Sequence, residues 1–385
     1  MSLIPDYNNS IVNLMSSISS GLGRKSKYSE LSSLSSKEIK KYKNVVLLVI
    51  DGLGYEYIRK KDSFLTKNIR TKITSVFPPT TASAITTFMT GTAPQEHAYT
   101  GWYMHLKELG TVATILPFCP RLGGPTFTNS KIKVKDILEV KCFTEQIKVS
   151  SYVIQPQKIV NSAFSKANSK KAKRISYTTF NGLSRQIKKV IKSHHQKKYI
   201  YAYWPGLDSI GHHYGLSSRK AERHFKGLNQ RLIPLVKSLE NTGTILIITG
   251  DHGQVETPEE KSINLDDHPK LKECLTLPFC GDARTIYGYV HPAKAKQFED
   301  YVKHKLSKFC WLYRSEDLIK KNYFGKFDLN PKLFDRIGDY TLILKENYVF
   351  KDALLKHKRE FHIGNHGGLS KEELFVPLIV FGSEK

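Results

Sequence analysis

Asp51, Thr81, Asp208, His212, Asp251, His252 and His366 are the residues of this sequence whose types and spacing best suit them to do chemistry together. Carboxylate oxygens and imidazole nitrogens are ligands for divalent cations, and a hydroxyl beside them is a nucleophile waiting for activation. Asp251 and His252 adjoin in Thr249-Gly250-Asp251-His252-Gly253, so one oxygen and one nitrogen ligand arrive at one point. Alone, that pair fits an ordinary turn better than a metal site. Asp208 and His212 are four residues apart, which is one face of a helix. His366 stands in Gly364-Asn365-His366-Gly367. Three aspartates and three histidines suffice for two divalent ions sharing one site. Two such ions, about 4 Å apart, clamp the attacking and leaving oxygens of a phosphoryl transfer.

The elements that must carry these residues are legible. Val45 to Ile50 is a continuous apolar run ending at Asp51, the pattern of a parallel strand buried on both faces. Thr244 to Ile248 is a second such run, and Tyr199 to Trp204 reads as a third strand just before Asp208. Open α/β sheets place their ligands at the carboxyl ends of such strands. The small, apolar stretch Ala82 to Met89 reads as a buried helix stopped by Gly91. Thr80 and Thr81 then sit at a helix N-terminus, where unpaired N–H groups attract anions, although a threonine there also serves as a plain N-cap. Ile11, Leu14 and Ile18 recur at helical spacing within an N-terminal extension, 1–44, and Ser35 with Glu38 has capping-box spacing. A helix is expected over 218–239, with Pro234 inside it, and a last strand over 374–381, where Pro377 calls for an edge or a bulge. Residues 106–190 and 266–355 lack clear periodicity and are read as insertions into a single α/β domain spanning 1–385, with a largely parallel central sheet flanked by helices.

The 385 residues carry a formal net charge of +25, which points to an anionic partner: a phosphorylated small molecule, nucleic acid or an acidic surface. The lysines are dispersed rather than gathered in one arm, as expected when they serve solubility. Five scattered cysteines without a CxxC exclude a disulfide framework and a cysteine-rich zinc site. No apolar run approaches the roughly 20 residues of a membrane span, and the polar N-terminus lacks a signal-peptide pattern, so the cytoplasm is the expected compartment.

Together the motifs resemble the alkaline phosphatase superfamily, and within it the type I phosphodiesterase/nucleotide pyrophosphatase group. The resemblance covers 45–105, 199–254 and 360–382. It implies a metal-dependent hydrolase of phosphate esters acting through a phospho-threonine intermediate. Thr81 matches the nucleophile, counted back from Thr90-Gly91, with Thr80 as the fallback. One ion would take Asp51, Thr81, Asp251 and His252; the other would take Asp208, His212 and His366. The ligands look like those of zinc enzymes, and manganese serves some relatives. A small phosphorylated substrate, a nucleotide among the options, is implied. Two departures stand out: Trp102 occupies the position where relatives carry an asparagine that holds the phosphoryl oxygen, and the arginine of good monoesterases has no counterpart. A phosphomonoesterase or phosphomutase is the alternative within the superfamily. A basic nucleic-acid-binding protein with a structural metal is the alternative outside it. Cys119-Pro120-Arg121 lacks the spacing of a sulfatase block. His97, His213, His268 and His362 are read as loop or surface histidines, and Trp102 and Tyr103 as core.

Overall fold

The computed structural model describes residues 3–137, 140–352 and 362–383. A seven-stranded central sheet is built from β1 (Asn44–Ile50), β2 (Ile69–Thr74), β3 (Ser150–Pro156), β4 (Ala172–Tyr177), β5 (Lys198–Trp204), β6 (Thr244–Thr249) and β7 (Phe375–Ser383). Its order is β2-β7-β6-β1-β5-β3-β4. Pairing is parallel from β6 through β4, and only β7 runs against its neighbours. Alternate residues of β1 feed opposite cores, as the two-residue strand period requires. Val45, Leu47 and Val49 pack toward the N-terminal helix Ile11–Gly21 and the helix α1 (Thr81–Thr90). Val46, Leu48 and Ile50 pack toward Leu183 and Ile187 of the helix Phe180–Lys192 and Leu228 and Leu232 of the helix Arg219–Lys237. Pro234 lies inside that last helix without ending it.

Pro377 is not at a sheet edge, because β7 lies between β2 and β6. It pairs with Lys72 of β2, and the bulge follows at Leu378/Ile379, where pairing with β6 begins. The missing N–H therefore falls where β7 has only one partner.

A second seven-stranded sheet is antiparallel throughout. Its order is Cys310–Arg314, Tyr340–Leu344, Thr285–Gly288, Cys280–Gly281, Tyr103–Leu106, Thr111–Thr114 and Cys119–Pro120. The 266–355 stretch thus joins, through the pairing of Gly281 with Tyr103, the strand Tyr103–Leu106 that leads into the 106–190 stretch. The expected boundary of the first, 106–190, is corrected. Residues 150–192 belong to the central sheet, supplying β3, β4 and a covering helix. β4 is an edge strand, and its sequence AKRISY leaves lysine and serine toward solvent, so it lacks the apolar run of a central strand. Of the second expected insertion, 353–355 lie outside the described residues, as do the first two residues of the N-terminal extension.

His97 is not a loop histidine at the surface. It is fully buried, its Nδ1 accepts the Tyr99 N–H at 3.0 Å and its Nε2 meets Thr87 Oγ1 of α1 at 3.1 Å. An accepting Nδ1 makes Nε2 the donor. Burial, with Arg336 nearby, pushes the ring down to about 3 from an ordinary 6.5. The unfolded chain therefore binds a proton below pH 6.5 that the folded chain refuses. Stability from this residue is complete above pH 6.5 and falls by about 1.4 kcal/mol per pH unit toward pH 3. Urea unfolding of His97→Gln is expected to show a shallower loss between neutral and mildly acid pH than the parent. Parallel profiles would contradict it.

Candidate metal centre

Three adjacent parallel strands deliver the candidate ligands. Ile50 is level with Trp204 and Val49 with Thr249, so Asp51, the Asp208 turn and Asp251 emerge side by side at one edge. Gly52, with φ of +73°, lets the chains meet there: a Cβ on it would lie 2.9 Å from Asp208 Cα. Asp208 stands in the first turn of α2 (Gly206–Tyr214) and His212 one turn on. His366 arrives on the loop after Gly364–Asn365, a two-residue strand paired with Val255–Glu256.

His252 sits at the middle. Its Nδ1 bonds the Gly253 carbonyl at 3.0 Å, so Nε2 is left to face the site. Around Nε2 lie Thr81 Oγ1 at 3.1 Å, Asp51 Oδ1 at 3.4 Å and Asp251 Oδ2 at 3.4 Å. His212 is oriented the same way, with Nδ1 on the Gly364 carbonyl at 2.7 Å and Nε2 3.3 Å from Asp208 Oδ2. The His366 ring stacks on His252 at 3.8 Å between centroids, and its Nε2 is 4.0 Å from Asp208 Oδ1. Two groups have ligand atoms close enough to share an ion: Asp51, Asp251 and His252, and Asp208, His252 and His366. His252 belongs to both, whereas the expected division gave it to the first ion alone. His212 adjoins the second group through Asp208.

Asp51 and Asp251 are each held by one carboxylate oxygen and left open by the other. Asp51 Oδ2 accepts the Tyr203 hydroxyl, while Oδ1 is buried without a partner. Asp251 Oδ1 accepts the Gly52 and His252 N–H groups, while Oδ2 is buried without a partner. Asp208 Oδ1 accepts Gln254 Nε2. Burial, reinforced by Asp208 and Asp251, drives the Asp51 carboxyl well above the usual range, and burial also raises Asp251. Burial disfavours the charged form of Asp208 as well, but His212 and His366 outweigh it and hold it low. Burial and His252 push His366 far down, whereas Asp208 overcomes burial to lift His212 to about 9. Orphaned carboxylate oxygens in a dry site are costly, and divalent cations of the type these donors suit would offset that cost. The residues therefore fit the expected metals.

Thr81 is the first residue of α1 and Thr80 its N-cap. Thr80 makes no side-chain cap bond, and its Oγ1 is buried without a partner. The first-turn N–H groups are thus left for an anion. Thr81, Asp208, His212 and His366 open into a cavity of about 500 Å³ lined also by Trp102, Arg121 and Asp282. A groove of about 690 Å³ elsewhere, along His105, Arg314 and Phe334, holds none of the candidate ligands.

Several contacts were not anticipated. Tyr203 alternates with Tyr199 and Tyr201 on β5, a period that marks one face, but nothing in the sequence says that this face ends at Asp51. Trp102 and Tyr103, expected in the core, line the cavity, where Arg121 lies 4.3 Å from the Tyr103 ring centre. His362 also lines it, 4.6 Å from His212 between ring centres. His213 points its Nδ1 back to the Ser209 carbonyl at 2.7 Å and is exposed, as expected. His268 meets the Tyr301 hydroxyl at 2.9 Å and is not among the cavity-lining residues.

Removing the Tyr203 hydroxyl tests whether it aims Asp51. Tyr203→Phe is expected to weaken divalent-ion affinity by about 10-fold or more, the usual cost of losing an outer hydrogen bond to a ligand. Isothermal titration of metal into the stripped protein reads it, and unchanged affinity would remove Tyr203 from the account.

The profile of the type I phosphodiesterase / nucleotide pyrophosphatase family matches residues 45–369. No curated protein matches by sequence. Murine ectonucleotide pyrophosphatase / phosphodiesterase 5 is similar in structure, with a TM-score of 0.67 at 18% identity over 87% of each chain. The human protein of that name gives 0.67 at 18% over 88% of this chain and 87% of its own. Phosphonoacetate hydrolase from Sinorhizobium meliloti gives 0.62 at 16% over 87% of this chain and 89% of its own. Among the described residues no helix is long and apolar enough to cross a membrane. Family profile, fold and the clustered ligands lead to one conclusion: the chain belongs to the type I phosphodiesterase / nucleotide pyrophosphatase family of phosphoric ester hydrolases, within the alkaline phosphatase superfamily.

Proposed function

We propose that the chain hydrolyses small phosphodiesters, nucleotide derivatives among them, through a phosphoryl ester formed on Thr81. The observation that carries this reading is the placement of Thr81 Oγ1, at a helix N-terminus and 3.1 Å from His252 Nε2, beside two open carboxylate oxygens. Thr81 Oγ1 attacks phosphorus as its proton passes to solvent, and the leaving group departs on the opposite side with the electron pair of its P–O bond and takes a proton from solvent to become the alcohol. Water then attacks phosphorus, the P–Oγ1 bond breaks and the Thr81 hydroxyl is restored. The first-turn N–H groups of α1 hold a phosphoryl oxygen throughout. Asp51, Asp251, His252 and Thr81 would hold one divalent ion, and Asp208, His212 and His366 another; when bound, they supply Lewis-acid charge and lower the pKa of the hydroxyl. Zinc suits this nitrogen and oxygen set, with manganese as the second choice. A related structure supports the roles of threonine and nucleotide: an inactive threonine-to-alanine variant of the murine phosphodiesterase 5, in complex with AMP.

The nucleic-acid alternative draws only on net charge. The deciding experiment compares a nitrophenyl phosphodiester with the corresponding monoester, with and without chelator. Diester hydrolysis that chelator abolishes and zinc or manganese restores is the expected result. Hydrolysis of neither ester in metal-loaded protein would overturn the reading.

A further inference from the structure

One charged group in the cavity has no part in the reaction just described. Asp282 follows the short strand Cys280–Gly281 of the second sheet and lines the same cavity as Thr81. Its Oδ2 accepts the Trp102 N–H at 3.1 Å. Its backbone N–H bonds the Thr285 carbonyl at 2.8 Å, which fixes the turn that presents it. A Cβ on Gly101 would lie 3.1 Å from Oδ2, and one on Gly367 3.2 Å from Asp282 Cβ. The carboxylate is therefore wedged between the loop after α1 and the loop that carries His366. It belongs to neither group of potential metal ligands.

The cationic side chain nearest in function is already engaged. Arg121 donates to the Phe279 and Asp352 carbonyls and to the Asp352 carboxylate. At alkaline pH Asp282 therefore places a carboxylate in the cavity into which Thr81 opens, on a lining that also includes Arg121 and Lys351. Trp102 lines the same cavity and gives its backbone N–H to Asp282.

We propose that Asp282 is a specificity-determining residue that favours phosphodiesters over phosphomonoesters by repelling the second negative charge of the monoester. The inference rests on the phosphoester reading of the site. A diester carries one charge at phosphorus, and a monoester carries nearly two above a second pKa of about 6. One extra unit charge about 8–12 Å from a carboxylate, at an effective dielectric of about 20, changes relative binding by about ten- to thirty-fold. The effect acts on one substrate and not on the other, so it appears in the ratio of their kcat/KM values.

Asp282→Asn keeps an oxygen for the Trp102 N–H and removes the charge. Asp282→Ser serves if the amide variant does not fold. Metal-loaded parent and variant are assayed at alkaline pH on the nitrophenyl diester and monoester, with thermal melts to confirm folding. The expected result is a diester-to-monoester ratio that falls by about ten-fold or more, through a rise in the monoester rate constant. A folded variant with an unchanged ratio overturns the inference and leaves the phosphodiesterase reading standing. A variant that loses both activities in proportion gives Asp282 a structural role and also overturns it. A parent that cleaves neither ester overturns the underlying reading instead.

Discussion

Thr81→Ala is expected to lower kcat on a phosphodiester by about a thousand-fold or more, because it removes the nucleophile and leaves only binding and charge. The variant keeps Asp51, Asp251 and His252, whose ligand atoms cluster without help from the hydroxyl. Metal content measured by mass spectrometry is therefore expected to stay at the parental level while turnover disappears. Thr80 provides an internal control. It precedes the helix as N-cap, and its hydroxyl makes no cap bond, so Thr80→Ala is expected to retain far more activity. Full activity in Thr81→Ala, or loss confined to Thr80→Ala, would move the nucleophile by one residue or remove it. Acid quenching during turnover adds a direct reading: the substrate's phosphoryl moiety is expected on the peptide that contains Thr81.

The second large effect concerns what holds the site together. Arg284, in the second sheet, and Glu373, before β7, form a buried pair with two parallel bonds, Nε to Oε1 and Nη2 to Oε2, each 2.8 Å. Arg284 also donates to the Tyr348 and Glu346 carbonyls. Glu373 accepts the Gly368 N–H at 2.7 Å, two residues beyond His366, and its carbonyl accepts the Gly253 N–H at 2.9 Å, one residue beyond His252. Thr285 Oγ1 donates to the Gly367 carbonyl at 2.6 Å. Both histidine loops are therefore tied to the second sheet through one ion pair. Arg284→Met leaves the buried Glu373 carboxylate without its counter-charge and takes the Arg284 donors from two carbonyls, at an expected cost of about 3–5 kcal/mol. Denaturant unfolding reads it. The double variant Arg284→Met/Glu373→Met removes the stranded charge and is expected to regain much of the loss. A single variant as stable as the parent would show that water reaches the pair.

Much of the site was legible because strand ends announce themselves. Asp51 and Asp251 terminate apolar runs that only a doubly covered strand explains, and Asp208 with His212 needed only helical spacing. The central, largely parallel sheet followed from the same runs. β3 and β4 escaped notice because their one-sided or edge positions permit lysine, serine and arginine. Asp282 and Arg121 were missed for a different reason. Both reach the cavity from the second sheet, whose strands pair across long sequence separations, such as Gly281 with Tyr103. No local pattern encodes that meeting. Arg284 and Glu373 likewise look like ordinary charged residues until the fold buries them.

The central claim is that two divalent ions and Thr81 work as one site, and a metal titration tests it most directly. Protein stripped by chelator and dialysed would be titrated with zinc, and separately with manganese, while bound metal and diester hydrolysis are followed on the same samples. The account predicts no hydrolysis at zero occupancy and activity that rises as both ion sites fill, the one at Asp51, Thr81, Asp251 and His252 and the one at Asp208, His212 and His366. Full hydrolysis by metal-free protein would contradict it, as would a fully loaded protein that leaves the diester intact.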